Sequence, residues 1–415
     1  MKKLMFWMPL AAIALASCSN DEQVSQVTRS DVQELTIRPI VGNVTRSVIT
    51  DANFDEFIVK ANVTDGAFWK VTGNDAPTSA PTGDGNVVNS FTEKVFKNNG
   101  KWDLFNLTTQ TAGSYKWYWS SKNAEGTFVA YNQEAGSFTV ADAITSQKDV
   151  LVASNAGTAS SFTNGVPMLF RHVLSQIVIK ADNKDADIRQ IKVGGVRLHN
   201  INSEASLILP DPATIKTTAG DFDWSTTTYN PWGASSVPIN YKYFKGTAPT
   251  DNNDYSGDAI TLNATAQDIT FDGPALLIPQ KNEITADLTS TSTNGVYFDV
   301  LIQVQDLEKQ TSEAGRYIYP KKPENAAETW SQTYAWVAVP VTIDWKPGFK
   351  YTYVLHFSKD GIGKQSPDKD DGGNDDPDPG HDPGTDVVDN PVPLYFTVTI
   401  DEWQDASTSP EEKDL

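Results

Sequence analysis

The feature that most constrains this chain is a run of short segments in which apolar and polar residues alternate, each broken off by a cluster of Gly, Pro, Asn and Asp. Phe57, Val59, Ala61 and Val63 recur every second residue, as do Tyr115, Trp117 and Trp119. A period of two places each set on one face of an extended strand. The cluster at 74–86 reads as a loop. Long runs of helix-favouring residues are scarce, so the expected fold class is all-β. With 415 residues the chain can form two or three domains. Leu169–Ile179 is apolar almost throughout and suits a strand buried on both faces. Further strands are expected at 191–198, 205–209, 259–264, 275–279, 296–305, 336–343 and 394–403. Aromatic residues spaced by two usually lie in a core, where each buries a large area worth about 25 cal/mol per Å².

The first fifty residues carry a different message. Lys2 and Lys3 precede the short apolar stretch Leu4–Leu15, which has the form of a secretory signal. It ends in Leu15-Ala16-Ser17-Cys18, which resembles a bacterial lipobox. That resemblance implies removal of residues 1–17, acylation of Cys18 and attachment to the outer membrane through the lipid. Cys18 is the single cysteine, so no disulfide forms within the chain. Leu35, Ile37 and Val41 then share one face of an extended segment. Pro39 cannot donate to a ladder and so marks an edge strand. Arg46-Ser47 is a polar site that a trypsin-like protease can cut, with Arg29 and Arg38 as rivals. These signals divide the chain into a signal (1–17), a pro-segment (18–46), an N-terminal β-sandwich (47–148), a C-terminal β-sandwich (149–403) and a polar tail (404–415).

A net charge of −20 excludes nucleic acid as a natural partner, because phosphates are repelled. The chain has no Gly-x-Ser-x-Gly, Walker, His-Glu-x-x-His or Gly-x-Gly-x-x-Gly pattern, and its lone thiol is assigned to lipid. Neither enzymatic activity nor a cofactor is expected. His172 reads as a core histidine bonded to backbone. An acidic insert at about 364–393 holds Asp368, Asp370, Asp371, Asp375, Asp376, Asp378 and Asp382. Calcium takes such carboxylates, yet no Glu stands twelfth from Asp368 to close an EF-hand loop, so no metal is assigned. The Asp-Pro and Pro-Gly repeats read instead as an extended linker, for which a tether ahead of the last strand and a simple loop insertion fit equally well. Trp224 and Trp232, in a Ser/Thr/Asn-rich loop, are the candidates for an exposed sugar-stacking platform.

Several motifs together resemble the fimbrillin family of Bacteroidales. They are Asp149-x-Leu151-Val152; Phe170-x-His172-x-Leu174-Ser175-x-Ile177-x-Ile179; Pro347–Leu355; and Phe396-x-Val398-x-Ile400-x-x-Trp403. Thr45-Arg46-Ser47 is similar to that family's maturation site. The resemblance implies two tandem Greek-key, transthyretin-like sandwiches and passage through a lipid-anchored precursor. It also implies cleavage after Arg46 by an Arg-specific surface protease and assembly with other fimbrial subunits by donor-strand exchange. Leu35, Ile37 and Val41 would then form the displaced strand, and a host protein or glycan would be the target of adhesion. The competing expectations are a surface glycan-binding lipoprotein and an adhesin at the fibre tip.

Overall fold

A computed structural model describes residues 32–41, 54–72, 77, 80–98, 101–106, 111–112, 115–214, 231–245, 255, 258–290, 293–309, 316–321, 333–367, 383–388 and 391–402. These residues form an all-β structure, interrupted by short 3-10 turns at Ile144–Ser146 and Ala159–Ser161.

Two sheets enclose the first core. The larger runs, in hydrogen-bonded order, through Ile37–Val41, Val166–His172, Leu151–Thr158, Glu125–Tyr131, Glu56–Asp65, Ser90–Asn98, Lys101–Asn106 and Thr111–Ala112. The smaller runs through Gln33–Glu34, Tyr115–Trp119, Phe68–Thr72 and Val87–Val88. Alternation does the local work: in Glu56–Asp65 the residues Phe57, Val59, Ala61 and Val63 are buried, and most of their neighbours are not. Rings fill the gap between the sheets. Phe91 stacks on Trp117 with centroids 4.6 Å apart, and Trp119 meets Phe128 edge-on at 5.6 Å. Both tryptophans therefore belong to the core, where each ring pair adds about 0.5–1.5 kcal/mol beyond its buried area.

The second core lies beneath the nineteen-residue strand Arg189–Leu207. That strand pairs with Ser236–Phe244 along one edge and with Tyr297–Asp306 along the other, and Ala335–Pro340 and Lys364–Gln365 extend the sheet. A smaller sheet holds Gln267–Asp268, Ser175–Asn183, Phe349–Phe357 and Tyr395–Glu402, with Ala275–Leu277 also on Ser175–Asn183. Phe298 and Tyr353 meet edge-on at 5.0 Å between the two.

Two sequence expectations are corrected here. The apolar run Leu169–Ile179 is two strands, Val166–His172 and Ser175–Asn183, which belong to different sheets. The break falls at Val173–Leu174, whose carbonyls accept from the Trp232 indole at 2.6 Å and the Gly348 amide at 2.9 Å. Those long-range bonds leave no hydrophobic signal, so the run looks continuous. The sheets also do not part at 148/149. Gly136–Thr139 already pairs with Arg189–Leu207, whereas Leu151–Thr158 and Val166–His172 return to the first sheet. Partner choice across many residues, rather than the local turn at 141–148, decides sheet membership.

Tyr297–Asp306 is buried on both faces, and its outer face is polar. Asp299 there accepts from Arg197 at 3.0 Å and from the Ser366 hydroxyl at 2.7 Å, and pairs with His199 at 2.8 Å. Arg197 lies 3.8 Å above the Trp336 ring. Burial alone would push the Asp299 carboxyl up, but His199, Arg197 and Ser366 outweigh it and hold the group below the usual carboxylate range. A group so depressed stabilises the fold above its unfolded value of about 3.9 and loses that contribution as pH falls through its folded value. Replacing Asp299 by Asn should cost about 3–5 kcal/mol at pH 7, since it leaves a buried guanidinium without its counter-charge. Urea unfolding from pH 7 to pH 3 should also show a shallower acid dependence in Asp299→Asn. Equal slopes in the two chains would contradict this account.

Candidate functional site

The site is the place where residues 33–41 lie. Gln33–Glu34 pairs antiparallel with the edge of the smaller sheet, Gln33 opposite Trp119 and Glu34 opposite Tyr118. The Leu35 amide then donates to the Trp117 carbonyl at 2.8 Å. One residue later the segment has changed sheets: the Thr36 carbonyl accepts from the Val166 amide at 2.8 Å. Ile37–Val41 continues parallel to Val166–Phe170, at the outer edge of the larger sheet. This segment therefore closes one side of the sandwich by bonding to both sheets.

Its side chains follow the alternation. Leu35, Ile37 and Val41 are buried at 2%, 6% and 8% exposure, while Thr36 and Arg38 face solvent. Val166, Met168 and Phe170, opposite Ile37, Pro39 and Val41 on the neighbouring strand, belong to the same buried cluster. Phe170 in turn meets Phe54 at 4.8 Å and Phe57 at 4.9 Å. Burying three such aliphatic side chains contributes about 1.5–3 kcal/mol each. Pro39 sits opposite Met168 on an edge, where its missing N–H does least harm. At the solvent end, Lys116 and Glu34 pair at 2.9 Å, and the Glu34 carboxylate pushes the Lys116 ammonium up. With both groups well exposed, that pair adds little to the holding energy.

Without the segment, a row of edge amides and carbonyls beside an apolar groove would lack partners. Each such group left buried and unpaired costs about 1–3 kcal/mol. A replacement strand with the same alternation satisfies all of them at once.

A second edge has the opposite character. Tyr395–Glu402 pairs along its whole length with Phe349–Phe357 but leaves Tyr395, Val398 and Ile400 at 57%, 40% and 58% exposure. His356 grips it, with Nδ1 2.9 Å from Asp182, Nε2 3.1 Å from the Thr397 hydroxyl and its ring stacked on Tyr395. Of the two readings of the acidic insert, a tether or a loop insertion, the described residues favour the loop insertion. After the insert the chain is tied back: the Gln365 amide donates to Thr385 at 2.8 Å, the Gly384 amide to Gln365 at 3.0 Å, and Lys364 pairs with Asp386 at 3.1 Å. The described residues on either side of 368–382 are therefore held together at the sheet.

Other candidate residues are placed as follows. Cys18, Arg46, Ser47, Trp224 and the carboxylates from Asp368 to Asp382 lie outside the described residues. Trp232 is not a platform: it is 5% exposed, packs on Phe138 at 5.3 Å and spends its N–H on Val173. A tryptophan whose ring and N–H are both engaged offers no face to a sugar. His172 is buried as expected, and its Nδ1 lies 2.7 Å from Asp149 Oδ2. Among the described residues no group of three or more His, Cys, Asp or Glu side chains is placed to hold a metal ion. Nothing in the sequence singled out Tyr115–Trp119 as the second receiving edge, because strand pairing across 82 or more residues leaves no local mark.

The family model described as fimbrillin-like matches residues 67–368. The chain belongs to the fimbrillin-like family. Membership supports a fimbrial subunit at the cell surface that associates with other subunits and has a structural role. The chain is also similar to a solved fimbrial protein from Bacteroides vulgatus, with 14% identity, 90% of this chain and 100% of that one covered, and a TM-score of 0.46. A candidate cell adhesion protein from Bacteroides ovatus shows 13% identity over 82% of this chain and 88% of its own, with a TM-score of 0.34. A candidate cell adhesion protein from Bacteroides eggerthii shows 11% identity over 89% and 96%, with a TM-score of 0.36. No curated protein matches. The family assignment rests on the family model alone, and its range leaves both the 33–41 segment and the closing strand outside.

If residues 35–41 are held mainly by their apolar anchors, Leu35→Ala and Ile37→Ala should each loosen the segment by about 2–5 kcal/mol. Arg38→Ala should stay within about 0.5 kcal/mol. Thermolysin digestion of the uncut chain reads this directly. Uniform release from all three variants would show that the anchors do not hold the segment.

Proposed function

We propose that this fimbrillin-like protein is a structural, accessory or tip subunit of a surface fimbrium, built by exchange of the 33–41 segment. The chain is exported as a lipoprotein on Cys18 and held at the outer membrane. An Arg-specific protease cuts after Arg46, and the segment carrying Leu35, Ile37 and Val41 leaves its slot. An alternating strand from a neighbouring subunit then fills the slot and joins the two subunits.

The observation that carries this reading is the position of residues 33–41. They are buried along one face but form an edge element in the sheets, bonded to both and followed within a few residues by Arg46-Ser47. An interior strand could not leave without dismantling a sheet. The closing strand adds support. Leu394, Phe396, Val398 and Ile400 repeat the spacing of Leu35, Ile37, Pro39 and Val41, and the strand is exposed enough to be given to another slot. Adhesion to a host protein or glycan remains part of the proposal. The sugar-stacking reading has lost Trp232, one of its two tryptophans, to the core.

Arg46→Ala should abolish the Ser47 N-terminus in surface material and block polymer formation, leaving an acylated chain that begins at Cys18. Terminal sequencing and gel analysis of surface fractions check both points. Ordinary polymers from Arg46→Ala would refute cleavage at this site and turn attention to Arg29 or Arg38.

A further inference from the structure

The slot is not a groove along one sheet. Its occupant runs antiparallel on Tyr118–Trp119, steps across at Leu35–Thr36, and then runs parallel on Val166–Phe170. The turn Phe162–Gly165 touches the segment on both sides of that step. The Phe162 carbonyl accepts from the Gln33 side-chain amide at 2.9 Å, and Gly165 faces Thr36. Gly165 has φ +86°, and a Cβ built on it would lie 2.6 Å from the Thr36 Oγ1. The fit is close enough that one added methyl group cannot be accommodated without movement.

This matters for register. A strand with a period of two can slip by two residues and still present its apolar face, so alternation alone does not fix where it stops. The step does fix it, because the occupant can change sheets at one point only. We propose that the Phe162–Gly165 turn is the register gauge of the slot and reads the residue at the Thr36 position, an inference that rests on the strand-exchange reading above. The partner it fits is an extended segment of another subunit with a small polar residue at the step. That segment carries an apolar anchor immediately before the step and further anchors one and five residues after it. This chain's own closing strand, aligned by its apolar residues, brings Tyr395 to the step. A second copy of this chain is therefore the poorer donor, and the strand received comes from a different subunit.

The test uses the full chain cut after Arg46 and three labelled peptides. One has the sequence of residues 32–41, the second is identical but with Gly in place of Thr36, and the third has the sequence of residues 391–400. The uncut chain serves as control. The cut wild-type chain should take up the Thr and Gly peptides comparably and the 391–400 peptide at least about tenfold more weakly, roughly 1.4 kcal/mol. In Gly165→Ala the Thr peptide should weaken about tenfold relative to the Gly peptide, because only the Gly peptide leaves room for the new methyl group. Should Gly165→Ala fold poorly when cut, melting of the uncut chain gives the same answer. There Thr36→Gly should recover the part of the Gly165→Ala loss that comes from the Thr36 side chain, leaving the strain of an alanine at φ +86°, whereas it should not stabilise the wild type. Equal weakening of both peptides, no recovery in the double variant, or full uptake of the 391–400 peptide would overturn the gauge while leaving strand exchange intact. No uptake of any peptide by the cut wild-type chain would overturn strand exchange itself, and the gauge with it.

Discussion

The architecture depends on a hydrogen-bonded closure made by fewer than ten residues. A β-sandwich has two sheets and therefore free edges, and a free edge beside an apolar interior is a template for another strand. Here one side is sealed by a segment that satisfies the Trp117 carbonyl on one sheet and the Val166 amide on the other. Leu35 fills the space between these two bonds. The sealing element lies at an edge of each sheet, paired along one side only, with no interior strand depending on it.

The rest of the molecule is built not to follow it. The ring clusters of the first core tie Phe57, Phe68, Phe91, Trp117, Trp119 and Phe128 across the sheets, and these contacts do not pass through residues 33–41. In the second sandwich, the Arg197–Asp299–His199–Ser366 network fixes the outer face of Tyr297–Asp306 and anchors the root of the acidic insert. A buried charge set of this kind is a poor source of net stability but a strong penalty on disorder once formed. Rigid cores with a closure paired only at sheet edges are what the proposed exchange needs.

Much of this was legible in the sequence, and the failures share one cause. Period-two alternation located Glu56–Asp65, Tyr115–Trp119 and Tyr297–Asp306, and it put Leu35, Ile37 and Val41 on one face. Pro39 marked an edge because a missing donor is tolerated only there. Alternation is a local signal, however, and sheet membership is not. Leu169–Ile179 read as one strand because the bonds that divide it come from Trp232 and Gly348. The boundary at 148/149 missed the return of Leu151–Thr158 to the first sheet for the same reason. Trp232 sat in a polar loop by composition, yet its indole reaches the Val173 carbonyl. The crossing at Leu35–Thr36 passes close against Gly165, which in the sequence is only another turn glycine.

The most direct test is amide hydrogen exchange at Val166 in a chain that begins at Ser47, measured in its monomer and in the fimbrial polymer it forms with its partner subunits. With no residue 36 to accept from it, the Val166 amide should exchange rapidly in the monomer and be protected again in the polymer. A monomer beginning at Ser47 whose Val166 amide is as protected as in the full chain would mean that the slot closes by itself and has no need of a neighbour.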